Sequence, residues 1–195
     1  PKELKDTFTS FVKAGEVPNL LLCGTAGIGK TTVAKALCHE LGVDSIVING
    51  SDEGRFLDTV RNSAKQFAST VSLTSSAKHK VIIIDEADNT THDVQLLLRA
   101  SIEEFQSNCR FIFTCNFKNK IIQPLHSRTT VIDCNTRGKQ KQQIATQFFE
   151  RCRGILTAED IQFTDAVVAE VVQKFFPDFR RTLNELQRYA ASGVI

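Results

Sequence analysis

Residues 24–32 read GTAGIGKTT, and this stretch decides how the chain is organised. It has the form Gly-x-x-x-x-Gly-Lys-Thr, whose glycines let the backbone curl so that its N–H groups line an anion-binding nest. Lys30 is placed to reach the outer phosphates of a nucleotide, and the Thr31 hydroxyl is placed to ligate Mg²⁺. We predict a phosphate-binding loop made of Thr25, Ala26, Gly27, Ile28, Gly29, Lys30, Thr31 and Thr32.

The residues around this loop occur in the order that a phosphate site requires. The apolar stretch Leu20 to Cys23 predicts a strand before the loop, and Thr31 to Leu41 predicts a helix after it. The N-terminal end of such a helix carries partial positive charge and points at the phosphates. The alternative is a glycine-rich turn that binds nothing, and the strand and helix in the required places weigh against it.

A second stretch, KVIIIDEAD at residues 80–88, supplies acidic groups. Its β-branched run predicts a parallel strand that is buried on both faces. Asp85 and Glu86 then lie at the strand end, where open α/β sheets bind ligands. Asp85 is suited to hold Mg²⁺ and Glu86 to deprotonate an attacking water, although two solvated carboxylates are also ordinary at a strand end. Because a kinase needs no water-activating carboxylate here, the pair favours hydrolysis.

The order of elements predicts an α/β P-loop fold followed by a helical domain. Five short apolar stretches alternate with helical ones, which indicates a five-stranded parallel sheet flanked by helices. One of these helices is expected between Asp52 and Val71. No strand pattern follows Cys134. After a break come three amphipathic stretches, roughly Lys139 to Arg151, Thr164 to Phe176 and Asp178 to Ala191. We predict an α/β domain over residues 1–134 and a three-helix domain over residues 135–195.

Composition places the chain among compact globular proteins. It has 195 residues, of which 42% are hydrophobic and 24% are charged. The net charge of +2 is too small to imply nucleic-acid binding, so any DNA contact must come from local clusters of basic residues.

The six cysteines show neither a C-x-x-C pair nor zinc spacing. Because the sequence has no stretch typical of a signal peptide or a membrane span, we expect a cytoplasmic protein in a reducing compartment with no membrane partner.

Five motifs occur together in this order: GTAGIGKTT, IIIDEAD, TCN at 114–116, PLHSR at 124–128 and DFRR at 178–181. In this combination the chain resembles the AAA+ ATPases and, among them, the clamp-loader family, with the greatest likeness to the clamp loaders of T-even-like phages. The resemblance runs over essentially the whole chain. It implies the AAA+ fold, with the helical domain acting as a lid, and ATP and Mg²⁺ as cofactors.

The resemblance also implies individual roles. Glu86 would activate water, and Asn116 would be the first sensor, which positions that water or touches the terminal phosphate. Arg180 would be the second sensor, reaching from the lid, and Arg128 would be an arginine finger that enters the ATP site of the adjacent subunit in trans. The alternatives are that Asn116 is an ordinary residue at a strand end, that Arg128 is a solvated loop residue, and that Arg181 acts in place of Arg180. The family pattern selects Arg180.

The function implied is that of a clamp-loader ATPase subunit. Together with other loader subunits it would use ATP to open a sliding clamp and load it at primer–template DNA. Three rivals remain: another AAA+ DNA motor, helicase loader or initiator; a non-hydrolysing scaffold subunit; and a small-molecule P-loop kinase. Candidate DNA contacts are basic residues that a solvated helix face explains almost as well, namely Arg55, Arg61, Lys65, Lys78 and Lys80.

The sequence departs from the family pattern in three ways. Thr129 follows Ser127-Arg128 where the family usually has Cys. The upstream Glu-x-Tyr-Arg-Pro segment that helps to enclose adenine has no counterpart here, and neither has the C-terminal collar that holds loader subunits together. We therefore expect this chain to be the two ATPase modules of a longer protein, which in isolation bind nucleotide weakly and hydrolyse it slowly.

Overall fold

A computed structural model describes residues 2–51, 62, 65–70, 79–136 and 138–191. The strands described are β1 (Leu20–Cys23), β2 (Ser45–Asn49), β3 (Lys80–Asp85), β4 (Cys109–Cys115) and β5 (Thr130–Asp133). The helices described are α1 (Lys2–Ala14), α2 (Lys30–Leu41), α3 (Lys65–Ser69), α4 (His92–Glu104), α5 (Gln123–His126), α6 (Gly138–Ala158), α7 (Asp165–Phe175) and α8 (Phe179–Ala190). The helix predicted between Asp52 and Val71 lies mostly outside the described residues, and α3 is its described part.

The strands form one parallel sheet in the order β2-β3-β4-β1-β5. This confirms the predicted five-stranded α/β fold. Strand β1 lies between β4 and β5, with Cys23 opposite Cys115 at the end of β4. Strand β3 ends beside β2, with Asp85 opposite Asn49. Because the strands are parallel and in register, the residues that follow β1, β3 and β4 gather at one edge of the sheet.

The two faces of the sheet are covered by different helices. Successive side chains of a strand point to opposite faces, so Ile82 and Ile83 enter different cores. Ile82 and Phe113 pack in the core that contains Leu98 of α4. Ile83 belongs to the other core, which includes Leu37 of α2. Because both faces of β1 and β3 are buried, the runs Leu20–Cys23 and Val81–Ile84 are continuously apolar, whereas the edge strand β2 alternates between exposed and more buried positions.

The helical part of the chain has an apolar core of its own, formed by Cys152, Leu156, Val168, Val171, Val172 and Leu186. Helix α6 runs to Ala158, although the sequence predicted an end near Arg151. The extension has a packing reason, since Cys152 and Leu156 are four residues apart and both are buried on the same face. No helix in the described part of the chain is long and apolar enough to cross a membrane.

The chain divides into two compact units whose boundary is not a single point in the sequence. One unit contains residues 2–24 and 30–134, and the other joins residues 25–29 to residues 135–195. The tip of the predicted phosphate loop therefore belongs to the same unit as the helical part. Within that unit, the N–H of Phe179 donates to Gly27 O at 3.1 Å, and the N–H of Thr25 donates to Asn135 Oδ1 at 3.0 Å.

Candidate nucleotide site

Lys30 is the first residue of α2, and its side chain is held by polar groups on two strand ends. The residue is only 9% exposed. Its Nζ donates to Gly24 O at 2.8 Å and to Asn116 Oδ1 at 2.8 Å. Burial lowers the pKa of Lys30, while the carboxylates of Asp88 and Asp85 oppose that shift. The predicted phosphate-binding lysine and the predicted first sensor therefore lie in direct contact.

Asp85, at the end of β3, accepts hydrogen bonds from two hydroxyl groups. Thr31 Oγ1 donates to Asp85 Oδ1 at 2.5 Å, and Thr114 Oγ1 donates to the same oxygen at 2.6 Å. A hydroxyl beside a carboxylate is a set of hard oxygen donors that suits Mg²⁺. The pairing of Thr31 with Asp85 therefore fits the predicted metal ligands, whereas Thr114 was not foreseen from the sequence.

Glu86 adopts a left-handed backbone conformation, with φ 54° and ψ 45°. A residue other than glycine in this region costs about 1–3 kcal/mol and persists only where its surroundings hold it. The N–H of Glu86 donates to Thr114 Oγ1 at 3.0 Å, so the hydroxyl that bonds Asp85 also holds the next residue. Strain of this kind at an acidic strand end is typical of a functional position.

Two polar side chains hold the carboxylate of Glu86. Ser51 Oγ donates to Glu86 Oε2, and Asn89 Nδ2 donates to the same oxygen at 3.2 Å and to Ser51 Oγ at 3.0 Å. Ser51 comes close because Gly50 lets β2 approach: a Cβ at Gly50 would lie 2.6 Å from Glu86 O. Neither Ser51 nor Asn89 was predicted from the sequence to be a site residue. The signal for Ser51 is its place just beyond β2, which becomes informative only once β2 is known to pair with β3.

Asp88 is a buried carboxylate, 5% exposed, that positions the turn after β4. Its Oδ2 accepts the backbone N–H of Asn116 at 3.2 Å and that of Phe117 at 3.0 Å. The backbone of the predicted first sensor is thus tied to the segment that carries Glu86. Asp88 was quoted in the acidic motif but was given no role from the sequence.

The predicted phosphate loop has the glycine conformations that its curvature requires. Gly27 and Gly29 have φ of 75° and 90°, values that L side chains rarely adopt. A Cβ at Gly27 would lie 1.8 Å from Asp178 Oδ1, so only glycine fits at that position. Asp178 caps α8 by accepting the N–H of Arg181 at 2.9 Å.

Arg180 and Arg181 lie in different surroundings on the first turn of α8. The Arg181 guanidinium lies over the ring of Phe175, with its central carbon 4.7 Å from the ring centroid. Arg180 is exposed. Arg181 therefore has a contact within the helical unit, and the selection of Arg180 over Arg181 stays a prediction.

Arg128 lies just after the short helix α5, with its side chain 28% exposed. Its Nε and Nη2 donate to Glu103 Oε1 at 2.8 and 2.6 Å, and its Nη1 donates to Pro124 O at 3.0 Å. These contacts tie Arg128 to α4 and α5 of its own chain.

The predicted DNA contacts receive one correction. Arg55, Arg61 and Lys78 lie outside the described residues. Lys65 Nζ lies 3.5 Å from Glu104 Oε1, and both side chains are exposed. Lys80 was predicted to contact DNA, and this prediction is wrong because the residue is only 7% exposed.

The ammonium of Lys80 donates hydrogen bonds to groups inside the fold instead of facing solvent. Its Nζ donates to Phe67 O at 3.0 Å and to Thr70 Oγ1 at 2.7 Å. It also lies 4.7 Å from the centroid of the Phe67 ring. Lys80 therefore caps the end of α3 from inside the fold, a place its long aliphatic stem allows it to reach.

A parallel sheet with a glycine-lysine-threonine loop at its carboxyl edge, opposite an acidic strand end, defines a P-loop nucleotide-binding protein. Comparison with known families narrows this class. Residues 20–135 match the ATPase family associated with various cellular activities, AAA, and the chain belongs to that family. Residues 140–195 match the AAA+ ATPase lid domain of the sliding-clamp-loader large subunit.

Individual relatives agree with both matches. The chain is 40% identical over 195 residues to the sliding-clamp-loader large subunit of Enterobacteria phage T4, covering 98% of this chain and 60% of that protein. It is 36% identical over 199 residues to the replication factor C small subunit of Saccharolobus solfataricus, covering 100% of this chain and 58% of that protein. The chain thus spans about three fifths of the length of the curated relatives it matches.

Solved structures agree with the fold. The Thermotoga maritima RuvB Holliday junction branch migration motor superposes with a TM-score of 0.71 at 20% identity, covering 94% of this chain and 58% of that chain. At this identity the likeness shows the fold alone.

Proposed function

We propose that this chain is the ATPase core of a sliding-clamp-loader subunit that binds ATP with Mg²⁺ and hydrolyses it during DNA replication. The observation that carries the ATPase part is the convergence of Lys30, Asp85 and Glu86 at one edge of the sheet, with Asn116 bonded to Lys30. The loader part is supported by the lid match at residues 140–195 and by relatives of 40% and 36% identity.

In this proposal, phosphate and metal are held by groups that already lie side by side. The backbone amides of the loop and the Lys30 ammonium would bind the phosphates. Thr31 and Asp85 would hold Mg²⁺, which supplies charge neutralisation of the phosphate oxygens.

Glu86 would accept the proton of the attacking water. Its carboxylate is fixed by Ser51 and Asn89, and its strained backbone is fixed by Thr114, so the base is oriented before substrate arrives. Asn116 would orient the water or the terminal phosphate once nucleotide has drawn Lys30 toward it. Arg180 would contribute a positive charge from the helical domain, and the phosphate loop would be formed by residues 25–32 as predicted.

The proposal divides the chain into an ATPase domain at residues 1–134 and a lid at residues 135–195. Support comes from the unit boundary after residue 134 and from the two family matches, which end at residue 135 and begin at residue 140. We further propose a cytoplasmic location, in keeping with the six free cysteines. The proposed partners are other loader subunits, a sliding clamp and primer–template DNA.

Clamp loading itself tests the proposal. The full-length protein would be assembled with its loader subunits and mixed with fluorescent clamp and a primer–template whose ends are blocked. With ATP, we expect clamp to stay on the DNA after the loader has been removed by high salt, and with a non-hydrolysable analogue we expect none to stay. Absence of retained clamp with ATP would reject the loader function, even if ATP were still hydrolysed.

A further inference from the structure

The guanidinium of Arg128 is engaged through each of its three nitrogens. Nε and Nη2 form one edge of the group, and both donate to Glu103 Oε1, at 2.8 and 2.6 Å. Nη1 donates to Pro124 O at 3.0 Å and to Ser127 Oγ at 3.3 Å. The chain therefore supplies its own acceptors to the side chain that the proposed function directs at a neighbouring subunit.

Glu103 is the one charged group among these acceptors. The hydrogen bonds and the positive charge of Arg128 hold the pKa of Glu103 below its usual range. The carboxylate is half exposed, and Arg99, one helical turn earlier on α4, lies 3.9 Å from the same oxygen. Exposed ion pairs are weak and depend on geometry, so this contact can be exchanged for a stronger one.

An arginine recognises a phosphoryl group through two parallel N–H donors, which give geometry as well as charge. In this structure the Nε and Nη2 edge is turned toward Glu103, and Nη1 of the other edge is turned toward Pro124 O. A phosphoryl group would need the same donors. Binding of Arg128 to a phosphate and binding of Arg128 to Glu103 therefore compete.

We propose that Glu103 holds Arg128 in a withdrawn position, and that an ATP-occupied site on a neighbouring subunit must displace Glu103 to receive the arginine. This inference rests on the proposed in trans role of Arg128. An ATP terminal phosphate presents three charged oxygens, whereas a site without that phosphate presents none there, so the exchange favours ATP-loaded neighbours. Because of Glu103, Arg128 therefore enters the neighbouring site only when that site holds ATP.

The test compares Glu103→Gln with Glu104→Gln in the full-length protein assembled with its loader subunits. Both changes remove one charge from the same end of α4, but the described partner of Glu104 is Lys65, not Arg128. We expect Glu103→Gln to raise the steady-state ATP turnover of the complex roughly two- to fivefold, the range that an exposed ion pair allows. Glu104→Gln should leave turnover unchanged. The gain should vanish when Glu103→Gln is combined with Arg128→Ala.

A fall in turnover with Glu103→Gln would show that Glu103 aims the arginine rather than withdrawing it, and would overturn the inference. Unchanged turnover would overturn it as well. Either result, together with a strong loss of turnover in Arg128→Ala, would leave the proposed finger intact. If Arg128→Ala alone hydrolysed ATP at the wild-type rate, the finger assignment itself would fail.

Discussion

Lys30 and Asn116 lie 86 positions apart in the chain, yet the Lys30 ammonium donates to the Asn116 side-chain oxygen at 2.8 Å. This contact exists because β1 and β4 are neighbours in the sheet and end at the same level. The ammonium is also bonded to Gly24 O, so it is fixed before any phosphate arrives. A lysine held in this way is an anion-binding group with a defined position.

Lys30→Ala should therefore weaken nucleotide binding itself. A hydrogen bond to a charged group contributes about 1.5–3 kcal/mol, so we expect the dissociation constant for ATP to rise by roughly 10- to 100-fold. Titration with a fluorescent nucleotide would measure it. Lys35→Ala, which removes an exposed lysine from the same helix, is the matched control. Undiminished affinity in Lys30→Ala would contradict the phosphate-loop assignment.

Thr114→Val should lower stability, because the Thr114 hydroxyl serves Asp85 and Glu86 at once. The valine has the same shape but leaves the backbone N–H of Glu86 without that acceptor in a buried setting. An unsatisfied buried donor costs about 1–3 kcal/mol, and urea unfolding would report the loss. Thr114→Ser keeps the hydroxyl and should recover most of the stability. A valine variant as stable as the wild type would show that these hydrogen bonds are not needed.

Gly27→Ala and Gly154→Ala should have opposite effects on stability. A Cβ at Gly27 would meet Asp178 Oδ1 at 1.8 Å in a backbone with φ of 75°, so alanine must displace the α8 cap or the loop. Gly154 lies inside α6, and a Cβ there would meet no atom within 4 Å other than its chain neighbours and the backbone of its own helix, so alanine should stabilise by about 0.5–1 kcal/mol. Thermal unfolding would separate the two. A Gly27→Ala protein with an unchanged or raised Tm would contradict this packing of the loop.

Arg128→Ala should separate nucleotide binding from hydrolysis. Because the arginine is proposed to act on a neighbour, ATP binding to the isolated chain should be unchanged. Turnover in the assembled complex should fall by about 10³-fold, the typical contribution of an arginine finger. In mixed assemblies, a subunit with intact Arg128 should restore the site that it faces. Loss of nucleotide binding by the monomeric variant would count against an in trans role.

Much of the fold could be predicted because each strand carries a local signal. Val81 to Ile84 is β-branched throughout, and GTAGIGKTT joins a strand to a helix in a fixed order. The convergence of Lys30, Asp85 and Asn116 also followed, since parallel strands deliver their ends to one edge. What the pattern left open was the order of strands, and therefore which loops become neighbours.

The contacts that could not be predicted from the sequence depend on the order of the strands in the sheet or on the reach of long side chains. Ser51 reaches Glu86 only because β2 lies beside β3. Arg128 and Glu103 are 25 residues apart on elements whose spacing no periodicity gives. Lys80 was predicted to be a surface cation, but a lysine stem can run through apolar surroundings and bring the charge to a helix end.

If Glu86 is the base that activates water for ATP hydrolysis, Glu86→Gln should remove most of the turnover. Glu86→Gln keeps the size of the side chain but removes its capacity to take a proton. ATP turnover of the assembled full-length protein, measured with clamp and primer–template DNA present, should fall by about 10²-fold or more. ATP affinity should stay within a few-fold of wild type. Turnover near the wild-type rate would show that the carboxylate of Glu86, held by Ser51 and Asn89, does not act as the base.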